Sequence, residues 1–154
     1  MNNNIVSISA LGLAEDGICR INNFDDVIYL VDKSCTILVL DGINAKIIDN
    51  TINGNVKIVG NSSSVINYTI LNSKNTKRVF DISGELLINE IAMDETAEEL
   101  LVNLNSENAA CDIKLLSIAS KTKNVFTQQV NHLVKNTKSN ISNVGVAMNL
   151  ASIM

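Results

Sequence analysis

With 154 residues, 46% of them hydrophobic, the chain is sized for one domain with a real core. Aromatics supply only 3% and Trp is absent, so Ile, Val, Leu and Ala must fill that core, a composition that leans towards strands. The net charge of −4 with scattered basic residues excludes the clustered cationic footprint of a nucleic-acid binder, and no apolar run approaches the roughly 20 residues that span a bilayer.

Read from the start, Met1-Asn2-Asn3-Asn4 carries no basic leader ahead of an apolar stretch, so the expectation is a cytoplasmic protein. Short apolar runs then recur at 5–8, 18–21, 27–31, 35–40, 45–48, 56–59, 65–71, 78–82 and 86–92. Longer ones follow at 100–104, 110–119, 125–134 and 141–148. Turn-forming clusters separate them, including Asp41-Gly42, Asn53-Gly54-Asn55, Gly60-Asn61-Ser62-Ser63 and Ser83-Gly84. Inside the runs the period is two. Ile66, Tyr68 and Ile70 oppose Val65, Asn67 and Thr69, and Cys111, Ile113 and Leu115 oppose Asp112, Lys114 and Leu116. Thr96-Ala97-Glu98-Glu99 imitates a helix capping box, but the alternation of Leu100, Val102 and Leu104 predicts a strand, with room for one helical turn over 94–97.

Evenly spaced strands allow a sandwich, a barrel or a solenoid. Three features favour the solenoid. Proline is absent, Asn53-Gly54 is the one Asn-Gly hairpin dipeptide, and Asn recurs beside turns where stacked coils can align amides into ladders. At roughly 20–25 residues per coil, six or seven coils make a rod about 30 Å long. The prediction is a single all-β domain over 1–154.

Candidate chemistry is sparse. His132 is the one histidine; a metal-ligand or proton-carrier role competes with that of a polar residue fixing a turn, and the turn is favoured because no Cys, Asp or Glu sits at ligand spacing. Cys19, Cys35 and Cys111 are odd in number and widely spaced, so no disulfide framework is expected, and iron would require different coils to converge. Cys111 and His132 are the metal or cluster candidates. Glu85, Glu90, Asp94, Glu95, Glu98, Glu99 and Glu107 read as a solvated acidic face. Without a nucleophile constellation or a phosphate-cradling glycine loop, no catalysis is expected.

The stretch Val102-Asn103-Leu104-Asn105-Ser106-Glu107-Asn108-Ala109-Ala110-Cys111-Asp112 resembles the "VNLNGEGASAD" segment of the SufB/SufD family of iron–sulfur cluster assembly proteins. Further on, Val130-Asn131-His132 followed by Thr137-Lys138-Ser139-Asn140 is similar to that family's "VNH…TTSN" block. The resemblance implies a right-handed parallel β-helix, the motif positions Asn131, His132, Thr137, Ser139 and Asn140, and contact with a SufC-like ATPase and a SufB/SufD-like chain. It also implies a transient iron–sulfur cluster as cargo, with no intrinsic cofactor. Ser106 and Asn108 stand where the family has Gly, and its Cys/His-bearing segment and ATPase-docking helices have no counterpart here.

From Ser139 to Met154 no residue is charged, and Val144, Val146, Met148, Leu150 and Ile153 are apolar. An uncharged terminal strand leaves a solenoid edge open to pairing. Val144, Val146 and Met148 are therefore expected to form a homo-oligomer edge, which Val146→Lys should break. The functional expectation is a scaffold or interaction subunit of iron–sulfur assembly. The alternative is a solenoid interaction module that has lost that role. A sugar-binding enzyme face is disfavoured by the scarcity of aromatics.

Overall fold

In the computed structural model, residues 4–8, 17–23, 26–148 and 152–154 are described. They form short strands that grow longer along the chain: β1 (Asn4–Ser7), β2 (Ile18–Ile21), β3 (Val27–Val31), β4 (Cys35–Val39), β5 (Asn44–Asp49), β6 (Asn55–Gly60) and β7 (Val65–Ile70). There follow β8 (Thr76–Ile82), β9 (Glu85–Met93), β10 (Ala97–Leu104), β11 (Ala110–Ala119), β12 (Lys123–His132), β13 (Lys138–Ala147) and a two-residue β14 (Ser152–Ile153). Odd strands make one seven-stranded sheet in the order β1-β3-β5-β7-β9-β11-β13, and even strands make the other. Successive strands therefore alternate between sheets, and pairing within each sheet is parallel. This is a flattened β-solenoid with one continuous core.

The period-two alternation places every second residue inside, and parallel pairing stacks those residues into rows. Cys19, Ile37, Ile58, Phe80, Val102 and Val130 occupy one row of the even sheet. Tyr29, Ile47, Tyr68, Ile88, Ile113 and Ile141 occupy a row of the odd sheet. Tyr68 and Phe80 meet edge to face, ring centres 5.0 Å apart, joining the two layers where aliphatic residues otherwise fill the space.

The corners explain the abundance of Asn. Asn53, Asn75 and Glu95 adopt positive φ where the chain leaves the odd sheet, and Ser63, Asn108 and Asn136 do so where it leaves the even sheet. Asn tolerates this conformation better than most residues. The Asn53-Gly54 dipeptide accordingly turns a coil corner rather than a hairpin. Amide ladders also form. Asn103 Nδ2 donates to Asp81 Oδ1 at 2.8 Å across 22 residues, and Asn131 Nδ2 donates to Asn103 Oδ1 at 2.9 Å across 28. The widening step reflects the longer strands of the later coils.

The helical turn allowed over 94–97 does not form. Glu95 takes φ 68°, and Ala97 already donates its N–H to Ser73 O of the preceding coil at 3.1 Å. Asp94 faces the next coil, accepting from the Ser120, Lys121 and Thr122 amides and the Ser120 hydroxyl, so inter-coil bonds take the groups a helix would need. These bonds hold its carboxyl well below the usual range, the Ser120 hydroxyl contributing most.

Candidate interaction site at the last coil

Where the inward rows reach the last coil their chemistry changes. The row Val56, Arg78, Leu100 ends in Gln128, and the row Asp49, Ile70, Glu90, Leu115 ends in Asn143. Asn143 Nδ2 donates to Gln128 Oε1 at 2.9 Å, closing the gap between the sheets. The row Val39, Gly60, Ile82, Leu104 ends in His132, and the row Ala45, Ile66, Leu86, Cys111 ends in Ser139. These too meet across the sheets, His132 Nε2 to Ser139 Oγ at 2.9 Å. The aliphatic core is thus finished by a polar rung, with Val130 and Ile141 in the intervening rows. Gln128 Nε2 is buried without a partner among the described residues. The Gln128–Asn143 pair also lines a cavity of about 320 Å³ with Phe126 and Ile153.

His132 holds the corner after β12. Thr137 Oγ1 donates to Val134 O at 3.1 Å, so it accepts from His132 Nδ1–H at 2.7 Å. With the proton on Nδ1, Nε2 of the neutral imidazole is the atom that accepts from the Ser139 hydroxyl. A base beside a hydroxyl and oriented by a third group is the start of nucleophilic catalysis, but acyl transfer also needs a pocket of oxyanion donors. Neither His132 nor Ser139 lines the cavity beside Gln128 and Asn143. Asn131 and Asn140 face outward and extend ladders, Asn140 Nδ2 donating to Asp112 Oδ1 at 3.0 Å. Of the motif positions, His132, Thr137 and Ser139 form one bonded cluster, whereas Asn131 and Asn140 lie on the outer faces of opposite sheets.

The cysteines do not converge on a ligand set. Cys19 and Cys111 are buried and Cys35 half-buried, all as free thiols. Burial pushes Cys35 and Cys111 up to about 12. Among the described residues no group of three or more His, Cys, Asp or Glu is placed to hold a metal ion, so these side chains do not fit a cluster site.

Val144 and Val146 project from the outer face of β13, and exposed Met148 follows it. Their side chains therefore belong to a sheet face, whereas the edge of β13 is backbone. Lys138 and Met148 donate their N–H groups to β11 and its flank. By the alternation of a parallel ladder, the N–H groups of Ser139, Ile141, Asn143, Gly145 and Ala147 point to the open side. Only β11 pairs with β13 among the described residues. On the even side β14 covers just the start of β12, with Phe126 N–H donating to Met154 O at 2.8 Å. Leu150 lies outside the described residues.

The acidic face expected from the sequence is only partly there, because Glu90 and Glu98 are 2% and 4% exposed. They join a buried cluster around Arg78, which is 0% exposed. Arg78 Nε donates to Asp49 Oδ2 at 2.7 Å and Nη1 to Glu98 Oε2 at 2.9 Å. Tyr68 adds a 2.5 Å bond to Asp49, and Ser73 one of 2.8 Å to Glu90. Burial first, and then the Glu98 charge, push Glu90 up to about 9, so it is protonated at neutral pH. Among the described residues Glu90 Oε2 and Glu98 Oε1 have no other partner, and the Glu90 proton satisfies them as a carboxyl–carboxylate bond. The signal for this cluster is phase: Glu98 shares the inward face of Leu100 and Val102, Glu90 that of Leu86 and Ile88, and Arg78 that of Phe80 and Ile82.

Compared with family models, curated proteins and solved structures, the chain matches none.

Proposed function

We propose that this chain is a non-catalytic interaction scaffold whose last coil accepts a strand from another protein, a second copy included. The observation that carries the reading is the ten-residue β13, with every alternate backbone donor on its open side, beside a cavity lined by Gln128, whose Nε2 has no partner among the described residues. Backbone donors in that number favour strand addition, in which main-chain bonds supply affinity. The polar rung suits such an interface, since Gln128–Asn143 and His132–Ser139 remain paired when covered. At β13 no charge or proline stands between Ser139 and Ala147 to discourage pairing.

We place this scaffold in cytoplasmic iron–sulfur cluster assembly, as a SufB/SufD-like subunit working beside a SufC-like ATPase and a second SufB/SufD-like chain. Support comes from the sequence resemblance, from the parallel solenoid that the resemblance implied, and from the joining of its His132, Thr137 and Ser139 positions in one corner. The cluster is cargo of the assembly, and its chemistry belongs to the partners. The second reading, an interaction module outside iron–sulfur metabolism, is favoured by the buried thiols, which are held as neutral S–H groups.

Co-purification with the SufC-like ATPase at moderate salt separates the two readings. A stable complex, with iron retained after anaerobic reconstitution of the assembled subunits, supports the assembly role. No complex and no retained iron refutes it, while self-association or capture of a strand peptide at β13 would still uphold the scaffold.

A further inference from the structure

Two rows of apolar side chains cross the outer face of the odd sheet. Ile91, Leu116 and Val144 are in register in one, and Met93, Ile118 and Val146 in the next. Leu71 and Met148, both exposed, extend the patch at its margins. Exposure runs from 39% at Leu116 to 66% at Met93 among its exposed members, values unusual for contiguous residues of this size. Together they present roughly 600 Å² of apolar surface, the upper end of what monomers leave bare. The flanking row Asn89, Lys114 and Ser142 is polar and forms a rim.

We propose that this face is a self-docking surface on which a second copy of the chain packs sheet against sheet about a two-fold axis. The area decides the occupant. With its rim the patch approaches the roughly 800 Å² per partner of a standard interface, so a reciprocal contact between two such faces is large enough for a dimer. Shape agrees. In-register parallel strands make a ribbed surface, whose natural complement is another sheet packed in the aligned manner. Neither row contains a charge to select a different partner, and an isologous contact needs none. The contact uses side chains on β9, β11 and β13, so it stands apart from strand addition at the β13 edge, which uses main-chain groups.

Sedimentation velocity over a wide dilution series tests the proposal. The wild-type chain is expected to be a dimer that dissociates on dilution. Leu116→Lys, central in the first row and one strand in from the edge, should move the midpoint at least tenfold higher in concentration. If far-UV circular dichroism shows that this variant misfolds, Leu116→Thr keeps strand propensity and must still weaken the dimer. Ala147→Pro removes one open-edge donor and should leave the dimer intact. A monomeric wild type, or a dimer indifferent to both Leu116 substitutions, overturns the proposal. A dimer lost on Ala147→Pro yet insensitive at Leu116 also overturns it, while sparing the edge reading.

Discussion

Replacing Glu90 by Gln tests the buried cluster through its proton. The native Glu90 carboxyl rises from 4.5 to about 9, so folding takes up a proton between those values. The stability this group contributes is full below pH 4.5 and drains away as pH climbs towards 9. A single such proton gives a slope of roughly 1 kcal/mol per pH unit. By pH 8 the accumulated loss amounts to a few kcal/mol, comparable with a domain's whole margin. Gln is isosteric and uncharged, accepts from Ser73 as Glu90 does, and donates an amide N–H to Glu98 in place of the shared proton. Urea midpoints of the two proteins at pH 5 and pH 8 give the readout. The variant should match wild type at pH 5 and exceed it clearly at pH 8. Equal midpoints at pH 8, or a variant weakened to the same extent at both values, would refute the shared-proton assignment.

Other outcomes follow from the same geometry. Arg78→Met strands the Asp49 and Glu98 carboxylates in the core and should cost about 3–5 kcal/mol in denaturant titrations. Gly84→Ala puts a Cβ 2.1 Å from Ser64 O of the preceding coil, and because backbone cannot swing aside, a loss of roughly 1–3 kcal/mol or more is expected. Cys111 should resist alkylation at pH 8 in the native protein, while all three thiols react after unfolding, as mass spectrometry would record.

Much of the architecture was legible because alternation is a local property. The runs over 18–21, 27–31 and 110–119 coincide with β2, β3 and β11, and the opposition of Ile66, Tyr68 and Ile70 to Val65, Asn67 and Thr69 holds in the structure, which turns the first set inward. Strand addresses were legible; their chemistry was less so. Glu90 and Glu98 resemble surface carboxylates until Arg78, from a neighbouring coil, is placed against them, because residue type alone does not say which face a carboxylate occupies. The roles of Val144 and Val146 shifted for a related reason. Sequence marks them as apolar and terminal, yet only the register with Ile91, Leu116, Met93 and Ile118 assigns their side chains to a face rather than an edge. The turn-fixing reading of His132 needed just the short loop to Thr137 and Ser139, so nearby sequence sufficed.

Residue-resolved amide exchange along β13 addresses strand addition most directly. In the free chain, Asn140, Ser142 and Val144 should be protected by β11 while Ile141, Asn143 and Gly145 exchange quickly. Once a partner strand binds, whether from a second copy or another protein, that alternation should vanish as the fast amides slow. An alternating pattern that persists in the fully assembled complex would contradict a scaffold built on the β13 edge.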